Sequence, residues 1–353
     1  MENTKRRKKT ARFIEIAALA GVSVTTVDRV LNERDSTSVS TRARVLDAAR
    51  QLGIPRLLPD PRHGLIHVDI VLPDNRSPFF QRLNQAMQRG TAMLDRRLVV
   101  HRISPPEDDE AALLSALAPR RYRRHGLIVA APDTPAVRLA LQQAQARGEH
   151  VTLAVTRVSG LDGAGYVGID NVAAGRTAGL LLGRLCHRPG RVLLLSSRRD
   201  YLGHIERTSG CRAVLDARFA HLQCDVDSSE THDDPDRCYW AVTRALQAKG
   251  RGVVVGLYNS GAGSPGIVAA LQRHAQDQHI CWVTHELSDD HRQYLLQGAL
   301  DVVIDQDPET QGIRALQDML AALGFSPAPS GPARPGEFRL YLAENMNQCP
   351  RPD

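Results

Sequence analysis

Three groups of residues in this 353-residue chain have types and spacings that chemistry could use. Two stretches fit the Gly-x-Gly-x-x-Gly pattern that lets a backbone approach a pyrophosphate: Gly163-Ala164-Gly165-Tyr166-Val167-Gly168 and Gly261-Ala262-Gly263-Ser264-Pro265-Gly266. The first precedes an apolar run instead of following one, the wrong order for a dinucleotide site. The second follows such a run, and Glu286 stands about 20 residues further on, as a nicotinamide site would require. Yet Pro265 falls where the helix would begin and the motif comes late in the chain, so its glycines are read as a tight strand-to-helix turn. His285, Glu286, Asp289 and His291 are metal-ligand types, but the His-Glu-x-x-His spacing is absent. His232-Asp233-Asp234 reads as a solvated loop. No Gly-x-Ser-x-Gly elbow is present, and no nucleophile–base pair stands out among the serines. The sequence therefore implies no enzyme, no metal and no cofactor.

Composition directs attention elsewhere. Hydrophobic residues at 42% and charged residues at 24% describe a globular protein, long enough for two or three compact units. The net charge of +6 sits in the first 62 residues, which hold 13 Lys/Arg against 7 Asp/Glu, while the rest is balanced at 32 of each. A small basic head on a neutral body points to a polyanion as the head's partner and something different for the body. The six cysteines, at 186, 211, 224, 238, 281 and 349, include no C-x-x-C pair and read as free thiols of a reducing compartment. Lys5-Arg6-Arg7-Lys8-Lys9 ahead of Ile14 to Val24 imitates a signal peptide, but Glu15 interrupts the apolar stretch. No run approaches the ~18 apolar residues of a membrane span, and a cytoplasmic protein is expected.

The elements that must position these residues follow from periodicity. Residues 10–52 read as three short helices. Thr10 can cap the first, with Ile16, Ala17 and Ala20 on one face, and Gly21 stops it. Ser23 can cap a second with Val27, Val30 and Leu31 inward, and Ser38 a third with Val45, Ala49 and Leu52 inward. Helix, tight glycine turn, helix is a helix-turn-helix pattern. Three prolines and a glycine within 54–64 mark a linker. Beyond it, apolar runs at 66–72, 98–103, 126–130, 151–155, 166–169, 191–196, 252–257, 281–284 and 301–304 alternate with amphipathic helical stretches. That alternation predicts parallel sheets covered on both faces, and its length predicts two lobes.

The head, Ile16-Ala17-Ala18-Leu19-Ala20-Gly21-Val22-Ser23-Val24-Thr25-Thr26-Val27-Asp28-Arg29-Val30-Leu31-Asn32 and on through Thr41 to Gly53, resembles the headpiece of the lactose-repressor (LacI) family. The resemblance implies a recognition helix in the major groove with Val24 and Thr25 at base edges. Val24 would meet a thymine methyl, Thr25 would donate or accept, and Arg29 would pair with guanine unless Asp28 or Glu33 engages it. Ser23, Thr26 and Asn32 fit phosphate contacts, as does the basic arm at 5–9. Family members follow the headpiece with a hinge helix that wedges leucines into the minor groove. Here Leu57-Leu58 is followed by Pro59 and Pro61, so Leu58 stands either as that wedge or in a stiff spacer.

Residues 65–350 resemble the ribose/xylose-type branch of periplasmic-binding-protein-like sensors. The matching pieces are Ser77-Pro78-Phe79-Phe80, Tyr166-Val167-Gly168-Ile169-Asp170-Asn171, Arg207, Tyr258-Asn259, Thr284-His285-Glu286-Leu287 and Ile304-Asp305-Gln306-Asp307. By that resemblance Phe79 or Phe80 stacks on a sugar, and Asn75 and Asp133 are polar contacts of the first lobe. Arg207, Asn259, Glu286 and Gln306 close from the second lobe and the crossover. Two departures bear on the ligand: Thr156-Arg157 replaces a usual Asp-Arg, and Glu286 replaces an aspartate. A sugar, sugar acid or cyclitol fits, and Arg157 with Arg207 would also suit an anion.

These readings converge on a ligand-responsive, sequence-specific DNA-binding regulator of the repressor kind. It has an all-α headpiece at 1–53, a linker at 54–64 and a type I, two-lobed α/β sensor at 65–350. The first lobe is expected from about 65–170 and 307–328, the second from about 171–306 and 329–350. Two headpieces are needed to read a palindromic operator, so a homodimer or higher homo-oligomer is expected. The competing reading is an α/β enzyme acting on a sugar or nicotinamide with a basic accessory head.

Overall fold

The computed structural model describes residues 13–31, 37–52, 65–94, 98–326 and 335–348. The chain divides into two compact units, Met1–Leu65 and Ile66–Asp353. Among the described residues no helix is long and apolar enough to cross a membrane.

The first unit holds helices α1 (13–20), α2 (Val24–Leu31) and α3 (Val39–Gln51). Ile16, Ala17, Ala20, Val27, Val30, Val45, Leu46 and Ala49 form its core. Gly21, with φ of 63°, ends α1. The Ser23 and Ser38 hydroxyls accept the backbone N–H of Thr26 (3.1 Å) and Thr41 (3.2 Å), capping α2 and α3. Leu52 departs from the periodicity argument: α3 stops at Gln51, the next residue turns outward, and Leu46 and Ala48 fill the core instead. The cap assigned to Thr10, the basic arm, Asn32, Leu58 and the rest of the linker lie outside the described residues.

The second unit contains two sheets. The first has order β2-β1-β3-β4-β5, all parallel, from β1 (Ile66–Val71), β2 (Leu98–Ile103), β3 (Arg124–Val129), β4 (His150–Ala154) and β5 (Gly165–Val167). Its first four helical crossovers are α4 (Pro78–Thr91), α5 (Glu110–Leu117), α6 (Pro135–Ala146) and, leading out to the other sheet, α7 (Asn171–Leu185). The second sheet has order β11-β10-β9-β8-β6-β7: β6 (Gly190–Ser196), β7 (Leu222–Glu230), β8 (Val254–Asn259), β9 (Cys281–His285), β10 (Val302–Asp305) and β11 (Arg339–Tyr341). Helices α8 (Leu202–Arg218), α9 (Pro235–Gln247), α10 (Ser264–His274) and α11 (Asp289–Leu296) connect its strands, and α12 (Pro308–Ala322) returns to pack on α4 of the first lobe. The chain thus passes between lobes at 168–171, again at 306–308, and a third time between α12 and β11.

Two strands escape the sequence reading. β7 is an edge strand whose polar, acidic alternation masks it, and β11 has three residues and runs antiparallel to β10, so the second sheet is not wholly parallel. Strands β1, β3, β6 and β8 are buried on both faces, which is why their sequences are nearly continuous apolar runs. The exception in β1 is Asp69, fully buried, which accepts from the Tyr122 hydroxyl (2.7 Å) and from Arg124 (3.1 Å). Among the described residues no two cysteines are joined by a disulfide.

Candidate functional site

A cavity of about 600 Å³ opens where the C-terminal ends of both sheets face each other. This is where open α/β sheets collect loops free of ladder constraints, and hence where ligands bind. From the first lobe come Asn75, Phe79 and Phe80 at the start of α4, with Glu107 in the loop after β2. From the second come Arg207 on α8, Asp233 after β7, Ser260–Ser264 after β8, Glu286 after β9 and Gln306 after β10.

A buried hydrogen-bond chain organises the floor. Arg207 is 5% exposed, and its guanidinium donates to Asn171 Oδ1 (2.8 Å), Ser260 O (2.9 Å) and Gln306 Oε1 (2.6 Å). Gln306 in turn donates through Nε2 to Glu286 Oε1. The Glu286 carboxylate's second oxygen accepts no hydrogen bond; Arg82 Nη1 stands 3.8 Å away and is itself held by Asp305 (2.6 Å) and Glu309. Arg207 is therefore a network centre, not the surface ion-pair partner of Glu206 or Asp216 that a helix position would also permit. Phe79 and Phe80 meet edge to face at 5.3 Å, and both are buried yet line the cavity.

The imidazoles around the floor are neutral. Burial, then the charge of Arg207, lowers His204 to about 4, and its Nδ1 lies 3.1 Å from Ser260 O. Burial likewise lowers His285 and His291, whose ring nitrogens meet Tyr258 Oη (2.7 Å) and Ser264 Oγ (2.6 Å). Among the described residues no group of three or more His, Cys, Asp or Glu is arranged to hold a metal ion.

Backbone strain is concentrated on this wall. Val155, His232, Asp233 and Glu286, four of the five non-glycine residues with positive φ among the described residues, line the cavity, and each such conformation costs of order 1–3 kcal/mol. The surrounding packing must over-determine these loops for them to persist. Gly263 (φ 88°) makes the turn into α10, and a Cβ on Gly266 would overlap the Pro235 carbonyl, so the Gly261–Gly266 motif serves a turn and a close approach.

Three residues expected at the ligand lie elsewhere. Asp133 takes two donors from Arg138 (2.5 and 2.8 Å) and two from Ser159 (2.7 and 3.0 Å), and the Arg138 guanidinium holds it below the usual carboxylate range. Arg157 lies over the Tyr166 ring, 3.9 Å from its centroid, where π-electron density substitutes for an anion. Asn259 is fully buried and spends its amide on the carbonyls of Gly261 (3.1 Å) and Ala262 (2.8 Å), shaping the loop. Asn75, Phe79, Phe80, Arg207, Glu286 and Gln306 do come together on the cavity wall. Glu107, Tyr201, His204 and Asp233 also line it and were not anticipated; His232-Asp233-Asp234 is cavity wall, not a solvated loop. The available signal was position alone, since each follows the C-terminal end of a strand.

On the head, Val24, Thr25 and Arg29 are exposed on α2 opposite its buried Val27, Val30 and Leu31. The hydroxyls of Ser23 and Thr26 bond each other at 2.8 Å at the start of the helix.

Burial, reinforced by Asp305, pushes Glu286 up to about 8 from an ordinary 4.5. Because the folded value is the raised one, the stability contributed by the neutral carboxyl is complete below pH 4.5 and lost as pH rises towards 8. The melting temperature should therefore fall across that window, and Glu286→Gln, which cannot ionise, should flatten the fall, at roughly 2–4 °C for each kcal/mol recovered. Parallel melting profiles of parent and variant would disprove the assignment.

A family model described as periplasmic binding protein domain matches residues 68–326, and one described as bacterial regulatory proteins, lacI family, matches residues 13–54. The HTH-type transcriptional regulator reg1 of Streptomyces lividans is 39% identical over 84 residues, 23% of this chain and 24% of that protein. An uncharacterized HTH-type transcriptional regulator in the aml 5′ region of Streptomyces limosus is 37% identical over 81 residues, 23% of each chain. The match thus spans about a quarter of the length of these curated relatives. An ABC transporter solute binding protein of Bacillus halodurans with bound myo-inositol superposes with a TM-score of 0.71 at 15% identity, over 81% of this chain and 98% of that one. A solute binding protein of Burkholderia graminis in complex with D-arabinose gives 0.70 at 17% identity, over 82% and 99%. Likeness at this level of identity shows the fold.

Proposed function

The chain belongs to the periplasmic binding protein domain family, and on that footing we propose that it is a ligand-responsive, sequence-specific DNA-binding transcription regulator of the repressor kind. The observation that carries this reading is the pairing, in one chain, of a lacI-family helix-turn-helix with a two-sheet cavity whose floor is a buried guanidinium bonded through each of its nitrogens. A cavity of this volume suits a small polyhydroxylated molecule, with Phe79 or Phe80 against its apolar face and Asn75, Arg207, Glu286 and Gln306 on its hydroxyls.

In this reading the headpiece occupies 1–53, the linker 54–64 and the sensor 65–350. The protein works by binding, as a homodimer in the cytoplasm, on a palindromic operator. Val24 and Thr25 read base edges, Arg29 a guanine, and Ser23, Thr26 and Asn32 phosphates, with Leu58 at the minor groove. Opening or closing of the lobes alters headpiece spacing, so ligand and DNA affinities are coupled reciprocally.

Fluorescence anisotropy at fixed salt, comparing a palindromic site selected from random duplexes with an unrelated duplex, tests the reading. Arg29→Ala should lose about 1–3 kcal/mol of discrimination between the two. A parent chain that binds both duplexes equally would refute sequence-specific regulation.

A further inference from the structure

One nitrogen of Asn75 sits between two carboxylates. Its Nδ2 donates to Glu107 Oε2 at 2.9 Å and to Asp233 Oδ2 at 3.1 Å. The two acids come from opposite lobes, Glu107 from the loop after β2 and Asp233 from the loop after β7. Asp233 is fixed in place: its Oδ1 accepts the Ala262 N–H at 2.8 Å, and the His232-Asp233 backbone is left-handed at both residues. Among the described residues no ion pair reaches either carboxylate, because Arg198, the cation that acts on Glu107 through space, is engaged by Asp108 and Asp200. Burial and the facing Asp233 push Glu107 up to about 7, as expected of an acid crowded by another.

A second observation concerns the same cavity. Glu286 is 7% exposed, lines the wall, and has one oxygen that accepts no hydrogen bond. Arg207, by contrast, already spends one N–H of each of its three nitrogens on the protein, which leaves two of its five donors for a ligand's hydroxyls. Arg157, the other cation expected near the ligand, faces Tyr166 instead. On the wall as a whole, carboxylates outnumber guanidiniums by six to two. Carboxyl groups thus predominate on the wall, with Arg76 on its exposed part and Arg207 on its floor as the two cations.

Resting on the sensor reading above, we propose that the ligand is a polyhydroxylated ring bearing a cationic amine, an amino sugar or aminocyclitol, with its ammonium seated between Glu107 and Asp233. An ammonium carries three donors, no acceptor and a full positive charge, whereas the Asn75 amide, which already donates to both acids, is neutral and leaves their charge uncompensated. Bound there, it bridges the two lobes and favours the closed cleft. Sugar acids are disfavoured by the same field.

Isothermal calorimetry and thermal shift on the full chain near neutral pH, with matched D-glucose, D-glucosamine and D-glucuronate, and myo-inositol against an amino-substituted inositol, provide the test. The amine should bind at least about tenfold more tightly than its neutral counterpart, the size of one charge-assisted hydrogen bond. Glu107→Gln, which still accepts from Asn75, and separately Asp233→Asn should each remove most of that preference. A neutral or acidic probe that binds as tightly as its amine overturns the proposal while leaving the sensor reading intact. So does a preference that survives both substitutions. If no probe of any charge raises the melting temperature, the sensor reading fails and the proposal with it.

Discussion

Replacing Arg207 with alanine should lower the unfolding free energy of the sensor by roughly 3–5 kcal/mol and abolish its response to ligand. The guanidinium is buried, and it joins three segments distant in sequence: Asn171 at the start of α7, the Ser260 carbonyl after β8 and Gln306 after β10. Truncation leaves Asn171 Oδ1 and Gln306 Oε1 without a donor and the Ser260 carbonyl with His204 alone, and a buried unsatisfied group costs about 1–3 kcal/mol. It also releases Gln306, the donor to Glu286, so the floor loses its order from one end to the other. Arg207→Lys should recover part of the stability, since an ammonium reaches fewer of these acceptors in fixed geometry. Urea unfolding followed by the midpoint reads the first effect. Ligand-dependent anisotropy on DNA reads the second, and a variant still released or recruited by ligand would show that Arg207 only braces the fold.

Gly175→Ala is the second large expectation, and its sign decides the matter. In an ordinary helix interior the change would gain about 1 kcal/mol. Here a Cβ on Gly175 would overlap the carbonyl oxygen of Arg207 and stand 2.7 Å from its carbonyl carbon and 2.8 Å from its Cα. Those are backbone atoms of α8 and cannot rotate away. The interlock continues along the helix pair, with Gly179 of α7 against Cys211 and Gly210 of α8 against the Val172 carbonyl, each at 2.5 Å. Separating α7 from α8 should cost about 1–3 kcal/mol by overpacking and move Arg207 off its partners. A melting temperature several degrees lower, with weakened ligand binding, is the expected result. A stabilised variant would mean that the helices separate freely.

Much of this architecture could be read from the chain because burial leaves a pattern. Strands covered on both faces, such as β1 and β8, are mostly apolar, and helix ends carry Ser23 and Ser38 as caps and Gly21 as a stop. Where burial is one-sided or absent the pattern fades, as with the acidic edge strand β7 and with Leu52, one residue beyond the end of α3. The cavity divides along the same line. Arg207, Glu286 and Gln306 were recoverable because strand ends and the helix after them are fixed by the sheet. Asp133, Arg157 and Asn259 stand at equivalent places, but local partners, Arg138, Tyr166 and the Ala262 carbonyl, turn them away. Asp233 belongs to a loop whose path depends on the left-handed backbone of His232 and Asp233, which residue type alone does not reveal, and Glu107 stands in an irregular loop without a periodic pattern to read.

The two lobes are tied by three passages of chain, not one. A single tether would let one lobe spin about the other; three tethers cancel most rotations and leave a door on its jamb, free to swing along one arc. Under the proposed reading, a solute caught in such a doorway would report ajar or shut, a binary message that suits a switch better than a dial.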